Sequence, residues 1–332
     1  MAKDRLMSPQ GERLSAPVMA PDHDGEWRVT DTSPRAPHAL IYGWFSYPVP
    51  GSTAGDLLAK DVAGQWVLTA GMACHVAVPC PARSGEVATG TVDPRRYDVL
   101  VFVCGPMPNY PLRHLVDSFP HARKIALNVS LLRDAWIQDK FDVVIQRDGA
   151  GVVRPDISFA SQRHHAPVIA RIYAGPQREY PNSRHDQVET VVSQALRDRD
   201  NAVLDVDTKL PHNQYGLTSI GQIESVIRRV DAVVTTRLHG SVLALRNGVP
   251  AVVIDAVPGG AKVRAQMEAL GWPLVLGVER LRKESIHEAL DHAFRPEYRQ
   301  LAQAVARRAR LSVDATRATF VTALGTSMRS RL

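Results

Sequence analysis

The sequence predicts an α/β protein built from two tandem Rossmann-like domains, which we expect to face each other across a cleft. Three observations predict this class. Apolar, strand-like segments alternate with helical ones from residue 38 onward, the alternation pauses at residues 149–167, and it then starts again. The length of 332 residues also corresponds to two domains of about 150 residues each.

The first half of the alternation contains five predicted strands. The clearest is YDVLVFVCGP (97–106), a continuous apolar run ending in Gly-Pro, which is typical of a parallel strand buried on both faces. The strands comprise residues 38–45, 73–79, 97–106, 124–130 and 142–148. Helical spacing occurs between them, at residues 55–71, 112–119 and 134–141.

The stretch GAGVVRPDISFASQRHHAP (149–167) is rich in Gly, Pro, Ser and His, which is typical of a linker. Five more strands follow it, at residues 167–175, 202–208, 231–236, 251–255 and 273–278. The helices predicted among them comprise residues 185–198, 218–230, 239–248, 261–272 and 282–294, and two more helical stretches follow.

These patterns divide the chain into four segments. Residues 1–35 are polar and aperiodic, which predicts a disordered tail. Residues 36–160 form the predicted N-terminal α/β domain and residues 161–295 the C-terminal one. We expect the helices of the arginine-rich segment 296–332 to pack back on the N-terminal domain.

Composition narrows the possible environments. No apolar run approaches the ~18 residues of a membrane span, and the N-terminus lacks the apolar core of a signal peptide. The three cysteines are an odd number, and the spacing of Cys74 and Cys80 matches no common zinc pattern. We therefore expect a cytoplasmic protein without a bound metal.

The positive charge is concentrated at one end of the chain. The net charge is +6, and residues 295–332 carry all of it, with eight arginines and two acidic residues. This segment lacks the aromatic residues and motifs of nucleic-acid-binding proteins, so no nucleic-acid partner is expected. It is either a solvated helix face or a surface for weak contact with an anionic membrane, at its inner face.

The most informative segment is DAVVTTRLHGSVLALRNGVPAVVID (231–255). A buried strand leads into Arg237, Leu238 and His239, and Gly240 and Ser241 then open a helix. The N–H groups of a first helical turn attract anions, and the Arg237 guanidinium suits phosphate or carboxylate. The imidazole of His239 can exchange a proton near neutral pH at the same position. Alone, such an arginine is often a surface ion pair and such a histidine often a cap.

Four further residues are candidates for the cleft. Asp56 begins a helix after the first strand, and it is either an N-cap or a general base. Three basic residues are further candidates: Arg147 lies at a strand end, Arg171 lies in a strand, and Lys262 lies at a helix start. Each of them either contacts an anion in the cleft or forms an ordinary salt bridge. Neither a dinucleotide fingerprint nor a P-loop follows any predicted strand.

These residues resemble the polysaccharide pyruvyl transferase family. The resemblance is strongest at TTRLHG (235–240), ALRNGVPAVVID (244–255), Lys262 and ALGWP (269–273). It extends to AGDLLA (54–59), YDVLVFVCGP (97–106), VVIQRDGAG (143–151) and RPDISFA (154–160), and covers roughly residues 38–280. One departure is Cys104-Gly105-Pro106, where family members often have a Gly-Gly pair.

The resemblance implies a glycosyltransferase-B-like fold and transfer of a pyruvyl group from phosphoenolpyruvate to a sugar or lipid-linked saccharide. It implies that Arg237 and Leu238 hold phosphoenolpyruvate, that His239 is catalytic and that Asp56 matches the family's acidic residue. The further candidates for contacts with the substrate are Gly240, Ser241, Arg147, Arg171 and Lys262. No metal or redox cofactor is required.

Two other functions are compatible with the sequence. One is a glycosyltransferase or sugar-nucleotide epimerase of the same two-domain architecture. The other is a catalytically inactive relative that serves as a binding module in a polysaccharide assembly complex. The sequence does not specify the acceptor sugar or the oligomeric state.

Overall fold

The computed structural model describes residues 36–45, 52–81, 84–105, 109–131, 139–149, 153–175, 177–210 and 213–329. The chain divides into two compact units, Met1–Arg163 and His164–Leu332, and the division falls within the predicted linker. The predicted tail at 1–35, most of the helix predicted at 134–141, and both Gly51 and Pro106 lie outside the described residues.

The first unit contains a six-stranded parallel sheet. Its strands are β1 (His38–Gly43), β2 (Ala73–Val78), β3 (Glu86–Ala88), β4 (Val99–Val103), β5 (Arg123–Ser130) and β6 (Val143–Asp148). They are ordered β3-β2-β1-β4-β5-β6, which is the strand order of dinucleotide-binding Rossmann folds. The sequence analysis missed β3, because three residues are too few to show a period.

The central strands β1 and β4 explain why this sheet is stable. Alternate side chains point to opposite faces, so Leu40 and Phe102 pack with Phe119 on one face. Ile41 and Val101 pack on the other face with the first helix, α1 (Ala54–Thr69). The second helix of this unit is α2 (Asn109–Asp117). Both faces of the sheet are thus buried, as the apolar runs predict.

The second unit contains a five-stranded parallel sheet. Its strands are β7 (Val168–Ile172), β8 (Ala202–Asp205), β9 (Ala232–Thr235), β10 (Ala251–Asp255) and β11 (Val275–Gly277). They are ordered β11-β10-β9-β7-β8, the flavodoxin-like variant of the doubly wound fold. Its helices are α3 (His185–Arg197), α4 (Ile220–Ile227), α5 (Leu238–Arg246), α6 (Lys262–Leu270), α7 (Lys283–Ala293) and α8 (Pro296–Arg329). Two Rossmann-like domains in tandem are therefore confirmed.

The C-terminal segment forms one helix, α8, where the sequence predicts two helical stretches. Its first half packs on α5 and α7 of the second unit, and it buries Ala302 and Val305. Nη2 of Arg308 also donates to the Leu270 carbonyl at 3.1 Å. The expected packing of this segment on the N-terminal domain stays a prediction. None of the described helices is both long and apolar enough to span a membrane.

The strand orders locate the candidate site within each unit. Sheets of this kind bind ligands beyond the carboxyl ends of their strands, where the strand order reverses. That point lies between β1 and β4 in the first unit and between β7 and β9 in the second.

Candidate active site

The second unit has a pocket at the carboxyl ends of β7, β9 and β10. Its polar lining consists of Gln177, Tyr180, His185, Thr236, Arg237, Asp255 and Lys262. Three helices begin there, because α3, α5 and α6 each follow one of these strands. The first N–H groups of a helix have no partner within the helix, and the helix dipole is positive at this end. The pocket therefore combines two cationic side chains with three positive helix ends.

Two threonine hydroxyls fix the ends of β7 and β9 to each other. Thr235 Oγ1 donates to the Ile172 carbonyl at 2.8 Å and accepts a hydrogen bond from the Arg237 N–H at 2.9 Å. Thr236 Oγ1 accepts one from the Ala174 N–H at 2.8 Å. Both threonines are buried. The backbone that places Arg237 at the pocket is therefore bonded to the neighbouring strand.

Arg237 is anchored by the protein itself. Its Nε and Nη2 donate to the Tyr173 carbonyl at 3.1 and 2.8 Å, and Nη2 lies 3.6 Å from Asp207 Oδ1. The sequence predicts that this guanidinium binds phosphate or carboxylate, but the Tyr173 carbonyl already occupies one edge of it. Nη1 makes no hydrogen bond within the described part of the chain, so it is the edge available to an anion.

The start of α5 requires a glycine. A Cβ atom on Gly240 would lie 2.4 Å from Thr235 Oγ1 and 3.0 Å from Ile172 Cγ2. Ser241 is fully buried, and its hydroxyl donates to the Leu238 carbonyl at 2.7 Å. Gly240 and Ser241 thus let α5 pack closely on the sheet. The side-chain positions of Gly240 and Ser241 therefore serve packing rather than contact with a ligand.

The structure separates two residues that the sequence places side by side. Leu238 lines the pocket next to Arg237, whereas His239, the second residue of α5, is exposed and does not line it. His239 therefore stands at the edge of the site, where its imidazole is in contact with solvent.

Lys262 lines the same pocket as Arg237. Its Nζ donates to Gln177 Oε1 at 2.9 Å and lies 5.2 Å from the centre of the Tyr180 ring. The neighbouring carboxylate of Asp255 is buried and accepts hydrogen bonds from the N–H groups of Val257, Ala261 and Arg264. Asp255 is thus occupied with the start of α6.

Sequence reasoning missed His185, the first residue of α3. It lines the pocket, and its Nδ1 is enclosed without a hydrogen-bond partner among the residues that the structure describes. Burial lowers the pKa of His185, and the charge of Arg237 lowers it further, whereas Asp186 and Asp255 act in the opposite direction. Its position in the sequence could have indicated this role. His185 is the first residue of the helix after β7, just as Leu238 is the first residue of the helix after β9.

Arg171 lies outside this pocket. Its Nε and Nη2 bind both carboxylate oxygens of Asp205 on the adjacent strand β8, at 2.5 and 2.9 Å. Its Nη1 donates to Ser193 Oγ on α3 at 2.9 Å. The ordinary interpretation, a salt bridge, accounts for the pairing with Asp205, and the bond to Ser193 ties the same guanidinium to α3.

In the first unit, Asp56 forms a capping box with Thr53. Its Oδ2 accepts hydrogen bonds from the Thr53 N–H at 3.0 Å and from the Thr53 hydroxyl at 2.6 Å. In return, the Asp56 N–H donates to Thr53 Oγ1 at 3.2 Å. Thr53, and not Asp56 as the N-cap alternative expects, is therefore the N-cap of α1, and Asp56 completes the capping box from position N3. A role of Asp56 as a general base stays a prediction.

Arg147 is part of a half-buried polar network near the carboxyl ends of the strands of the first sheet. It contacts Asp148 at 3.0 Å and Asp156 at 2.8 Å. Asn128 Nδ2 donates to Asp156 Oδ2 at 3.0 Å and to Cys104 Sγ at 3.2 Å. Burial alone would raise the pKa of Asp156, but hydrogen bonds from Ser158, Arg147 and Asn128 hold it at about 2. Arg147 is thus neutralised within its own unit.

At Cys104 and Gly105, where the sequence departs from the family's Gly-Gly pair, the backbone adopts a conformation that suits glycine. Cys104 has φ 70° and Gly105 φ 72°, so both occupy the left-handed region that glycine favours. A glycine pair would fit this backbone without strain. Burial raises the pKa of the Cys104 thiol to about 11, so it is not a ready nucleophile.

Comparison with known proteins supports part of the resemblance. The family model "Polysaccharide pyruvyl transferase" matches residues 151–256, a range that includes β7 to β10 and the Arg237 junction. The resemblance is therefore confirmed for this part of the chain. No curated protein matches the sequence.

Solved structures similar to this chain include glycosyltransferases and an epimerase. The calicheamicin glycosyltransferase CalG4 has a TM-score of 0.32 at 16% identity, covering 85% of this chain and 98% of its own. The glycosyltransferase SnogD from Streptomyces nogalater has a TM-score of 0.30 at 14% identity, and the match covers 82% of this chain and 95% of SnogD. UDP-GlcNAc 2-epimerase from Methanocaldococcus jannaschii has a TM-score of 0.29 at 11% identity, and the match covers 83% of this chain and 99% of the epimerase. The fold assignment rests on the strand orders of the two sheets.

Replacing Gly240 by alanine should destabilise the second unit by about 1–3 kcal/mol, since the added methyl group overpacks against Thr235 and Ile172. Urea unfolding measures the loss. Gly221→Ala is the matched control, because a Cβ there meets no atom closer than 4.0 Å. We expect Gly221→Ala to be neutral or stabilising, and an equal loss in both variants would contradict this account of Gly240.

Asp156→Asn should lower the stability of the first unit at pH 7. Because the native pKa of Asp156 lies at about 2, below the unfolded value of about 3.9, its contribution is complete above about pH 4 and is lost as the pH falls towards about 2. Urea unfolding at several pH values should therefore show the two proteins converging in acid. Asp139→Asn, at an exposed carboxylate of the same unit, should not change the pH dependence.

Proposed function

We propose that the protein transfers a pyruvyl group from phosphoenolpyruvate to hydroxyls of a sugar acceptor, forming a cyclic ketal and releasing phosphate. The observation that carries this proposal is the pocket of the second unit, where Arg237, Lys262 and three helix starts surround one small space. Phosphoenolpyruvate is small and carries both a phosphate and a carboxylate, so it suits such a pocket. The family match over residues 151–256 supports the same assignment.

The proposed reaction needs one acid and one base. A proton is added to the methylene carbon of phosphoenolpyruvate, which leaves an oxocarbenium-like centre at C2. A sugar hydroxyl attacks C2 and gives its proton to the base. The C2–O bond to phosphate then breaks, and a second hydroxyl closes the ketal with loss of its proton to phosphate. No metal or redox cofactor takes part in this scheme.

We assign the acid to His239 and the base to Asp56. His239 follows Arg237 by two residues and is exposed, so it can recover a proton from solvent after each turnover. Arg237, Lys262 and the backbone at the start of α5 bind the donor and stabilise the departing phosphate. In this proposal the donor belongs to the second unit and the saccharide acceptor to the first.

Phosphate release tests the function directly. The full-length protein is incubated with phosphoenolpyruvate and a panel of sugars, nucleotide sugars and lipid-linked saccharides. Phosphate release that requires one acceptor would support the proposal. Thermal stabilisation by a nucleotide sugar but not by phosphoenolpyruvate would favour a glycosyltransferase or epimerase instead. Stabilisation by saccharides without any turnover would favour an inactive binding protein.

Three substitutions should separate donor binding from chemistry in steady-state kinetics and calorimetry. Arg237→Lys should raise the KM for phosphoenolpyruvate strongly, because lysine cannot hold the Tyr173 carbonyl and an anion together. His239→Ala should change donor affinity only a few-fold and lower kcat by roughly 10²–10⁴. Asp56→Asn should resemble His239→Ala if Asp56 is the base. If it is only a cap, kcat should stay normal and stability fall by about 1 kcal/mol.

The second half of α8 is the proposed membrane contact. Val313, Phe320 and Leu324 are 63%, 62% and 52% exposed, and their spacing of seven and four residues places them on one helix face. Arg317 lies within this half of the helix and Arg307, Arg308 and Arg310 lie just before it, and the acid in this stretch is Asp314. An apolar face with an excess of positive charge suits an anionic lipid surface. Such a contact would keep a cytoplasmic enzyme near a lipid-linked acceptor.

Vesicle sedimentation tests this contact. We expect weak binding to vesicles containing phosphatidylserine, lost at high salt and absent with pure phosphatidylcholine. A double variant, Phe320→Ser and Leu324→Ser, should lose it, whereas Phe159→Ser, at an 87% exposed aromatic residue of the first unit, should retain it. Equal sedimentation of the double variant, or self-association without vesicle binding, would overturn the proposal.

A further inference from the structure

Among the described residues that line the pocket of the second unit, His185 has an enclosed ring nitrogen without a hydrogen-bond partner. Arg237 is anchored on Tyr173, Lys262 donates to Gln177, and Asp255 accepts three backbone N–H groups. His185 lines the same pocket, yet its Nδ1 is enclosed and meets no hydrogen-bond partner in the described part of the chain. Because Nδ1 is enclosed and Nε2 is not, Nε2 is the ring nitrogen that a ligand in the pocket can reach.

The surroundings of His185 favour a neutral ring. It is the first residue of α3, where the helix dipole is positive. The cation Arg237 lies nearby at the start of α5, and its charge adds to the effect of burial, so the pKa of His185 is lowered despite the nearby carboxylates of Asp186 and Asp255. A neutral imidazole carries one N–H, and Nδ1 has no acceptor, so the proton belongs on Nε2.

We infer that His185 binds the donor substrate by donating a hydrogen bond from Nε2 to one of its oxyanions. This inference rests on the proposed function, and it assigns the residue a role that neither the sequence motifs nor the family match indicates. A neutral donor is suited to this position, since it binds an anion without bringing a third full positive charge next to Arg237 and Lys262. The segment between β7 and α3, which also supplies Gln177 and Tyr180, then forms the third wall of the donor pocket.

Calorimetric titration of the full-length protein with phosphoenolpyruvate, and separately with inorganic phosphate, tests this role. His185→Ala should weaken binding at least about tenfold, the usual scale for a hydrogen bond to a charged group. His185→Gln should remain within a few-fold of the wild type, because a glutamine amide also donates from the ε position but does not titrate. The matched control is His292→Ala, since His292 belongs to the same unit and also has an enclosed, unpartnered Nδ1, but lies outside the pocket.

The outcomes separate this inference from the proposed function. Wild-type affinity in His185→Ala, or an equal loss in His185→Gln while unfolding curves are unchanged, would overturn the role of His185. Binding of phosphate but not phosphoenolpyruvate by the wild type would refute the proposed donor, and the His185 variants would then be judged on phosphate. Binding of neither would refute both. In ¹⁵N spectra of the histidine side chains, the signal lost in His185→Gln should show the Nε2–H tautomer and shift on titration.

Discussion

The candidate site depends on the close joining of β7 and β9 at their carboxyl ends. Thr235 and Thr236 bond the two strands through their side chains, and Gly240 lets α5 approach Thr235 without a Cβ atom between them. If the threonine bonds were lost, or if a side chain at position 240 blocked this approach, we expect the start of α5 to move away from the sheet. The position of Arg237, whose own N–H is bonded to Thr235, would then no longer be fixed.

The anchoring of the pocket's cations has a consequence for binding. A guanidinium that already holds the Tyr173 carbonyl and a lysine that already holds Gln177 lose little side-chain freedom when an anion arrives. Ordering a long side chain at a binding site costs about 0.5–1.5 kcal/mol, so prior ordering saves that amount for each cation. The same fixed dipoles would stabilise a leaving phosphate without rearranging during the reaction.

The fold was predictable from sequence because continuous apolar strands and amphipathic helices are local patterns. The roles of single charged residues were not, because their partners are distant in sequence. Arg171 pairs with Asp205, 34 residues away, and Asp156 joins Asn128 from 28 residues away. For Asp56 the partner is local, since Thr53 lies within the same turn, but the sequence did not show that Thr53 rather than Asp56 is the N-cap. His185 was missed because only the assembled strand order places the start of α3 beside that of α5.

The two units differ in how the charged side chains are paired near the point where the strand order of each sheet reverses. In the first, Arg147 is matched by Asp148 and Asp156, and the network around Asn128 satisfies the remaining polar atoms. In the second, the carboxylate of Asp255 is occupied by backbone N–H groups, whereas Arg237 and Lys262 still line an accessible pocket. One guanidinium against two carboxylates leaves this edge of the first unit with an excess of negative charge, which disfavours an anion. The second unit instead offers an anion Arg237, Lys262 and three helix starts. This asymmetry supports placing phosphoenolpyruvate on the second unit and the sugar on the first.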